Sequence, residues 1–280
     1  MYSMTALIGV TPPDSNNNNG PKNQRPTLNY QVVNGLDFLL SHFKQGSIFP
    51  RNISTKLTGN KQKPVYNRTE ALEYFAEAEL KDCKIAAYHS TDWRKGLSRV
   101  IAPDLLFIDL DLGVLRSMIA SAAALDATLT NIKSKLGGVP SVIWSGNGYH
   151  IYQPVEAFIL EQQQIFSKFK QPSRRLLQFA ERYLSNGKMD KCHNKTMSLH
   201  NCMLRVPGSY NSKSETPKKV EIVQRWDGNR PDIKPLLYRY YLYMQDRRLM
   251  DIRKQQQDQD QDNNNHWHSN GKFCSYWRKR

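Results

Sequence analysis

Two aspartates one residue apart are the first place where this chain could do chemistry. In Phe107-Ile108-Asp109-Leu110-Asp111-Leu112, apolar and acidic residues alternate, and the run Leu105–Leu112 predicts a strand. Residues i and i+2 of a strand face the same way. Asp109 and Asp111 therefore project side by side, while Ile108, Leu110 and Leu112 face the opposite side. Two carboxylates so close repel each other unless a cation stands between them. Hard divalent ions, Mg²⁺ or Mn²⁺, take oxygen ligands of this kind. A pair of such ions suits nucleotidyl transfer, one at the attacking oxygen and one at the triphosphate. Read alone, the same Asp-x-Asp is also the solvated face of an edge strand.

The segment Trp144-Ser145-Gly146-Asn147-Gly148-Tyr149-His150-Ile151-Tyr152 lies about thirty residues downstream. Two glycines around Asn147 predict a tight turn between strands Ser141–Ser145 and Tyr149–Gln153. Free amides in such a turn can cradle phosphate oxygens. Ser145 offers a hydroxyl at one lip and His150 an imidazole N–H at the other. The competing reading is an ordinary hairpin with a core histidine.

The acidic strand followed by Ser-Gly-x-Gly-x-His resembles the first two motifs of archaeo-eukaryotic primases. The third motif of that family is a hydrophobic residue and an acid, followed by an Arg-x-Pro-Gly segment ending in Lys. Met189-Asp190 and Leu204-Arg205-Val206-Pro207-Gly208-Ser209-Tyr210-Asn211-Ser212-Lys213 match it in order, so the resemblance spans roughly residues 105–215. It implies an α/β (α+β mixed) primase-like core, with an RRM-like sheet half packed on an N-terminal αβ unit and the metal site in the cleft between them. The implied activity is template-directed synthesis of a primer or DNA strand from nucleoside triphosphates. By resemblance, Asp109, Asp111 and Asp190 are the catalytic acids and the ligands of two Mg²⁺ or Mn²⁺ ions. Ser145, Gly146 and His150 would contact nucleotide phosphates. Arg205 and Lys213 would hold triphosphate or template charge. Asn211 stands where several replicative primases have a histidine, and its amide can still bond a phosphate. The implied partners are a single-stranded DNA template and nucleoside triphosphates. No Walker-A sequence is present, so any helicase is expected in trans. Two other readings share the acids: a catalytically silent relative that binds nucleic acid in replication initiation, and a two-metal nuclease.

Cys192, His193, His200 and Cys202 fall within eleven residues. These types suit zinc. The spacing lacks a C-x₂-C pair, and a loop with incidental Cys and His is the plainer reading.

The bulk properties agree with a polyanionic partner. Among 280 residues, 40 Lys and Arg face 25 Asp and Glu, a net charge of +15. Neutralising phosphates with such an excess releases counterions, although an acidic membrane surface would also attract it. The apolar run Ala6–Val10 is too short for a signal peptide, and no uncharged stretch has membrane-spanning length. The expectation is a soluble cytoplasmic protein. Four cysteines are too few and scattered for a disulfide framework.

The elements that must position these residues read as a mixed α/β order. Residues 1–27 and 254–280 are expected as a disordered N-terminal segment and a polar linker with a basic-aromatic tail (Lys272 to Arg280), leaving 28–253 as the catalytic domain. Helices are expected over Leu28–Phe43, from a cap at Thr69, from Leu115 through Ile132, over Gln162–Leu184 and from Pro235 to Arg253. Further strands are expected at Lys84–Tyr88, Met203–Val206 and Lys219–Trp226.

Overall fold

The computed structural model describes residues 30–44, 48–59, 61–89, 102–166 and 168–250. The expectations for 1–27 and 254–280 lie outside the described residues.

Two four-stranded antiparallel sheets form the body. The first has the order β2-β1-β3-β7, from Lys63–Val65, Arg51–Ser54, Lys84–Ala86 and Met203–Arg205. The second has the order β10-β5-β6-β4, from Glu221–Gln224, Ser141–Trp144, Gly148–Pro154 and Leu105–Asp111. A short ribbon pairs β8 (Tyr210–Asn211) with β9 (Lys218–Lys219). Mixed α and β is the architecture expected.

Two helices precede β4: α1 (Tyr30–Leu40) and α2 (Arg68–Glu77), of which α2 packs on β2. Val32, Leu36 and Leu39 of α1 are fully buried. Gly35 meets the loop after β7, where a Cβ would lie 1.9 Å from the carbonyl oxygen of Pro207. The backbone can come that close because residue 35 has no side chain. The cap of α2 is Asn67, whose side chain accepts from the N–H of Glu70, two residues before the expected Thr69. Asn is at least as good a cap as Thr, and it takes the earlier position.

The expected helix after the acidic strand is broken into α3 (Leu112–Leu115) and α4 (Met118–Leu136). Arg116 is left-handed at φ 62° and Ser117 restarts the helix as its N-cap. The buried face of α4 runs through Ser121, Leu125, Thr128, Ile132 and Leu136. Met118 is exposed.

The helix expected over Gln162–Leu184 is confined to α5 (Pro172–Leu184). The described residues between 161 and 170 form turns and bends, because proline excludes helical geometry from the residue before it and Gln171 adopts φ 50°. A six-residue α6 (Lys191–Thr196) follows, absent from the sequence reading. The strand expected over Lys219–Trp226 splits at buried Val220, where the chain leaves the ribbon for the second sheet. A last helix, α7, covers 234–250. Also unforeseen were β1 and β2, whose four and three residues are too short to show a period.

Candidate active site

The two motifs read from the sequence lie on adjacent strands of the second sheet. β4 pairs with β6 so that Asp109 stands opposite His150 and Asp111 opposite Gly148. Directly opposed side chains share a face. Asp109 Oδ1 is 3.6 Å from His150 Nε2. Gly148 makes this register possible, since a Cβ there would lie 2.2 Å from the carbonyl oxygen of Leu110.

These residues form one wall of a cleft of about 460 Å³ between the sheets. Phe107, Asp109, Asp111, Ser145, Asn147 and His150 line it from the second sheet. Lys84 and Arg205 face them from β3 and β7, which are hydrogen-bonded neighbours, and Asn211 and Lys213 close one end. An acidic wall thus confronts a cationic one.

Asp109 has a side chain 17% exposed, on an edge strand of the second sheet. Burial pushes its carboxyl up to about 7, and the charges of Glu181, Asp190 and Asp111 add to the rise, against the nearby charge of His193. An anion so poorly accommodated by the protein is one that a cation would stabilise. Asp111 Oδ1 accepts from the N–H of Gly113 and from Asn147 Nδ2 at 3.1 Å, so the turn braces the second acid.

The backbone of Asp190 reaches β4 from elsewhere in the chain, while its side chain is not among those that line the cleft. Its N–H donates to the Asp109 carbonyl at 2.8 Å. Its Oδ1 caps α6 by accepting from the N–H of Cys192 at 2.8 Å. Among the described residues, no group of three or more His, Cys, Asp and Glu side chains is disposed as a closed metal cage. Mg²⁺ commonly takes only one or two carboxylates and fills its shell from water and phosphate. The open pair Asp109 and Asp111, with an unsatisfied charge between them, fits that donor set.

His150 is nearly buried in the cleft wall, and its ring is held from behind. The Tyr152 hydroxyl accepts from the Arg205 N–H at 3.3 Å, which leaves its own proton for His150 Nδ1 at 3.1 Å. The ring proton then resides on Nε2, facing the acids and the open cleft. Burial first, and then the charges of Arg205, His193, Lys84 and Lys213, push its pKa well below the ordinary value. His150 is therefore a neutral N–H donor. Ser145 Oγ donates to the Gly148 carbonyl at 3.0 Å and closes the turn. Gly146, at φ 87°, lies against Asn211 and Lys218. Asn211 Nδ2 donates to the Ser145 carbonyl at 2.8 Å and its Oδ1 accepts from the Lys213 N–H at 3.2 Å, so its amide ties the turn to the cationic segment.

Three contributors were not foreseen. Asp82 accepts from Arg205 Nη1 at 3.1 Å and from the backbone and hydroxyl of Ser212, holding both ends of the Arg205–Lys213 segment. Lys84 adds a cation to the facing wall. Glu181, fully buried on α5, accepts from the N–H of Asp109 at 3.1 Å, from His193 at 3.0 Å and from Asn194 at 2.7 Å. Only Glu181 left a signal, a carboxylate on the helix face otherwise made by Leu177, Ala180 and Leu184.

His193 belongs to this network. Burial opposes its charge, but bonds with Cys202 and Glu181 and the charges of Glu181 and Asp109 raise it to about 11. It stands as a fixed imidazolium beside the acids. Burial keeps the Cys202 thiol protonated by pushing its pKa up. Cys192 is exposed on α6 and His200 is exposed in the turn before β7.

No helix among the described residues is long and apolar enough to cross a membrane. No family model matches the chain, and no curated protein matches it. Three solved structures are similar. Primase RepB′ is 13% identical with a TM-score of 0.47, over 80% of this chain and 67% of that one. The catalytic domain of primase RepB′ in complex with initiator DNA is 15% identical with a TM-score of 0.47, over 78% and 97%. The AEP domain of the cyanophage S-2L primase-polymerase is 12% identical with a TM-score of 0.44, over 74% and 95%.

Proposed function

We propose that the chain is a template-directed nucleotidyltransferase of the primase or primase-polymerase type, adding nucleotides to a 3′ hydroxyl from nucleoside triphosphates with release of pyrophosphate. The observation that carries this reading is the β4–β6 register, which sets Asp109 against His150 on one face, opposite Arg205 and Lys84. A nuclease needs the acids alone. A cationic wall facing the acids, with a neutral donor between, suits a bound triphosphate.

Asp109 and Asp111 would hold the divalent ions, with Asp190 beside them. Metal ions held there would neutralise phosphate oxygens and make the attacking hydroxyl more acidic. The chain's own groups bind and orient. His150 Nε2–H donates to a phosphate oxygen without bringing charge, so it does not compete with the ions. Arg205, held rigid by Asp82, offers the remaining N–H groups of its fork to the triphosphate. Lys213 and Lys84 add charge at the cleft margin. Asn147 keeps Asp111 in place, and Asn211 keeps Ser145 and the turn against the cationic segment.

Incubation of the protein with a single-stranded DNA template, labelled ribo- or deoxynucleoside triphosphates and Mg²⁺ or Mn²⁺, with and without an annealed primer, tests this reading. Template-dependent products that EDTA abolishes are expected. Template binding unchanged by EDTA with no incorporation would identify a silent binder instead. Degradation of the DNA without nucleotides would identify a nuclease.

A further inference from the structure

A second and larger cavity, of about 910 Å³, lies on the other side of α6 from the acidic cleft. α6 is the shared wall: His193 faces the acids, while Lys191, Asn194 and Lys195 face this groove. We propose that the groove holds a segment of single-stranded nucleic acid outside the catalytic cleft, gripping its phosphates with cations and its bases with aromatic rings.

Three helices each supply a pair of exposed cations to it: Arg175 and Arg182 from α5, Lys191 and Lys195 from α6, Arg247 and Arg248 from α7. No carboxylate of a described residue lines the groove. None of the six forms an ion pair with a described residue. Cations gathered this densely repel one another, and a polyanion relieves the repulsion by displacing counterions.

The floor between them is aromatic. Phe179, Tyr240 and Tyr243 meet there, with ring centroids 5.6 Å and 5.1 Å from Phe179 to the two tyrosines. The spacing in the helices produces the combination. Arg175, Phe179 and Arg182 fall at i, i+4 and i+7 on one face of α5, and Tyr240, Tyr243 and Arg247 at i, i+3 and i+7 on one face of α7. Arg247 Nη1 donates to the Tyr243 hydroxyl at 3.2 Å, which presents ring and cation together. Phe179 and Tyr243 are partly exposed, and Tyr240 is buried beneath them. Rings beside cations recognise unpaired bases, whose faces are free to stack, better than a duplex, whose faces are already covered. Binding in this groove uses none of the catalytic acids. A strand lying in it would pass within one short helix of them.

The test is fluorescence anisotropy of the full-length chain with a labelled oligothymidylate, titrated across salt concentrations. Arg182→Glu/Arg247→Glu should raise Kd at least ~10-fold and flatten the slope of log K against log salt by about 1.4, or about 0.7 for each phosphate no longer neutralised. Tyr243→Leu should weaken single-strand binding ~5-fold or more and leave binding to a duplex of equal length nearly unchanged. Lys133→Glu/Lys234→Glu, an equal charge change away from the groove, is the control. A groove variant indistinguishable from that control would overturn the proposal. So would a duplex bound as tightly as the single strand and no effect of Tyr243→Leu, which would mean a merely basic surface. Displacement of the oligonucleotide by polyglutamate at equal charge would assign the groove to an acidic peptide and overturn it too. The Arg182 and Arg247 side chains are exposed, so that double variant decides the matter even if Tyr243→Leu proves unstable. Wild-type binding that depends on these cations counts for the groove whether or not the protein synthesises DNA.

Discussion

The N–H of Asp190 donates to the carbonyl of Asp109 over 2.8 Å. Two acids 81 positions apart in the chain are thereby locked by backbone rather than by side chains, whose charges repel. Asp109 is squeezed twice, by burial and by its acidic neighbours, and the charge of His193 opposes that rise while Glu181 accepts from its backbone N–H.

Replacing Asp109 or Asp111 with Asn should reduce nucleotide incorporation at least ~100-fold, since each substitution removes a metal-binding charge. Asp109→Asn should melt no lower than wild type, because the charge it removes is one that burial disfavours. Incorporation assays and melting curves on the same preparations check both halves. Activity within about threefold of wild type would refute the metal-ligand assignment.

His150→Ala should lower kcat/KM for the nucleotide about 10- to 100-fold, the worth of one charge-assisted bond to phosphate. Template affinity should hold. Tyr152→Phe should move the same parameter in the same direction by less, because it only releases the proton from Nε2. Steady-state kinetics with DNA binding measured in parallel separates these effects. A stable His150→Ala protein with unaltered nucleotide kinetics would remove the phosphate-binding role of the turn.

Asp82→Asn should raise the nucleotide KM several-fold and cost about 2 kcal/mol of stability, because the buried Arg205 guanidinium loses its counter-charge. Denaturant unfolding and nucleotide titration measure the two effects. If KM stays at the wild-type value, Arg205 does not meet the triphosphate.

His42 makes stability depend on pH. Its Nδ1–H donates to the Phe38 carbonyl and its Nε2 accepts from the Ser141 hydroxyl, both at 2.7 Å. Burial, aided by the charge of Arg230, lowers its pKa from 6.5 to about 4. Between those values the unfolded chain binds the extra proton and the folded chain does not. Stability is therefore full above about 6.5 and is lost as pH falls toward about 4, by on the order of 3 kcal/mol from this group. Urea unfolding of wild type and His42→Gln from pH 7 to 4.5 should show a shallower decline in the variant. Parallel declines would exclude His42 as a source.

What the sequence disclosed follows how local each feature is. The alternation around Asp109 and the glycines around Asn147 are complete within a few residues, and both elements appear where expected. The start of α5 was expected at Gln162, ten residues too early, although Pro172 marks it. The partners that fix the chemistry were not local. Asp82 lies 123 residues from Arg205, and nothing around it distinguishes it from a loop acid. Lys84 acquires its role only when β3 pairs with β7. His193 read as a possible zinc ligand because cysteines surround it in sequence, whereas a glutamate from α5 decides its charge. The basic-aromatic pattern looked for at the C-terminus also exists on α5 and α7, where no single helix shows enough of it to stand out.

The β3–β7 pairing has a consequence for how the protein is made. Asp109, Asp111 and the turn between β5 and β6 have all left the ribosome once residue 154 has, because β4 and β6 lie close together in the chain. The opposite wall waits for residues 203–213, since the strand carrying Arg205 closes a sheet begun some 120 positions earlier. A nascent chain therefore displays Asp109 and Asp111 before it owns Arg205 and Lys213, and a chain released early holds an incomplete cleft rather than a weaker whole one. Non-local closure of this kind is also slow, so the arrival of the last wall sets the moment at which the site begins to exist.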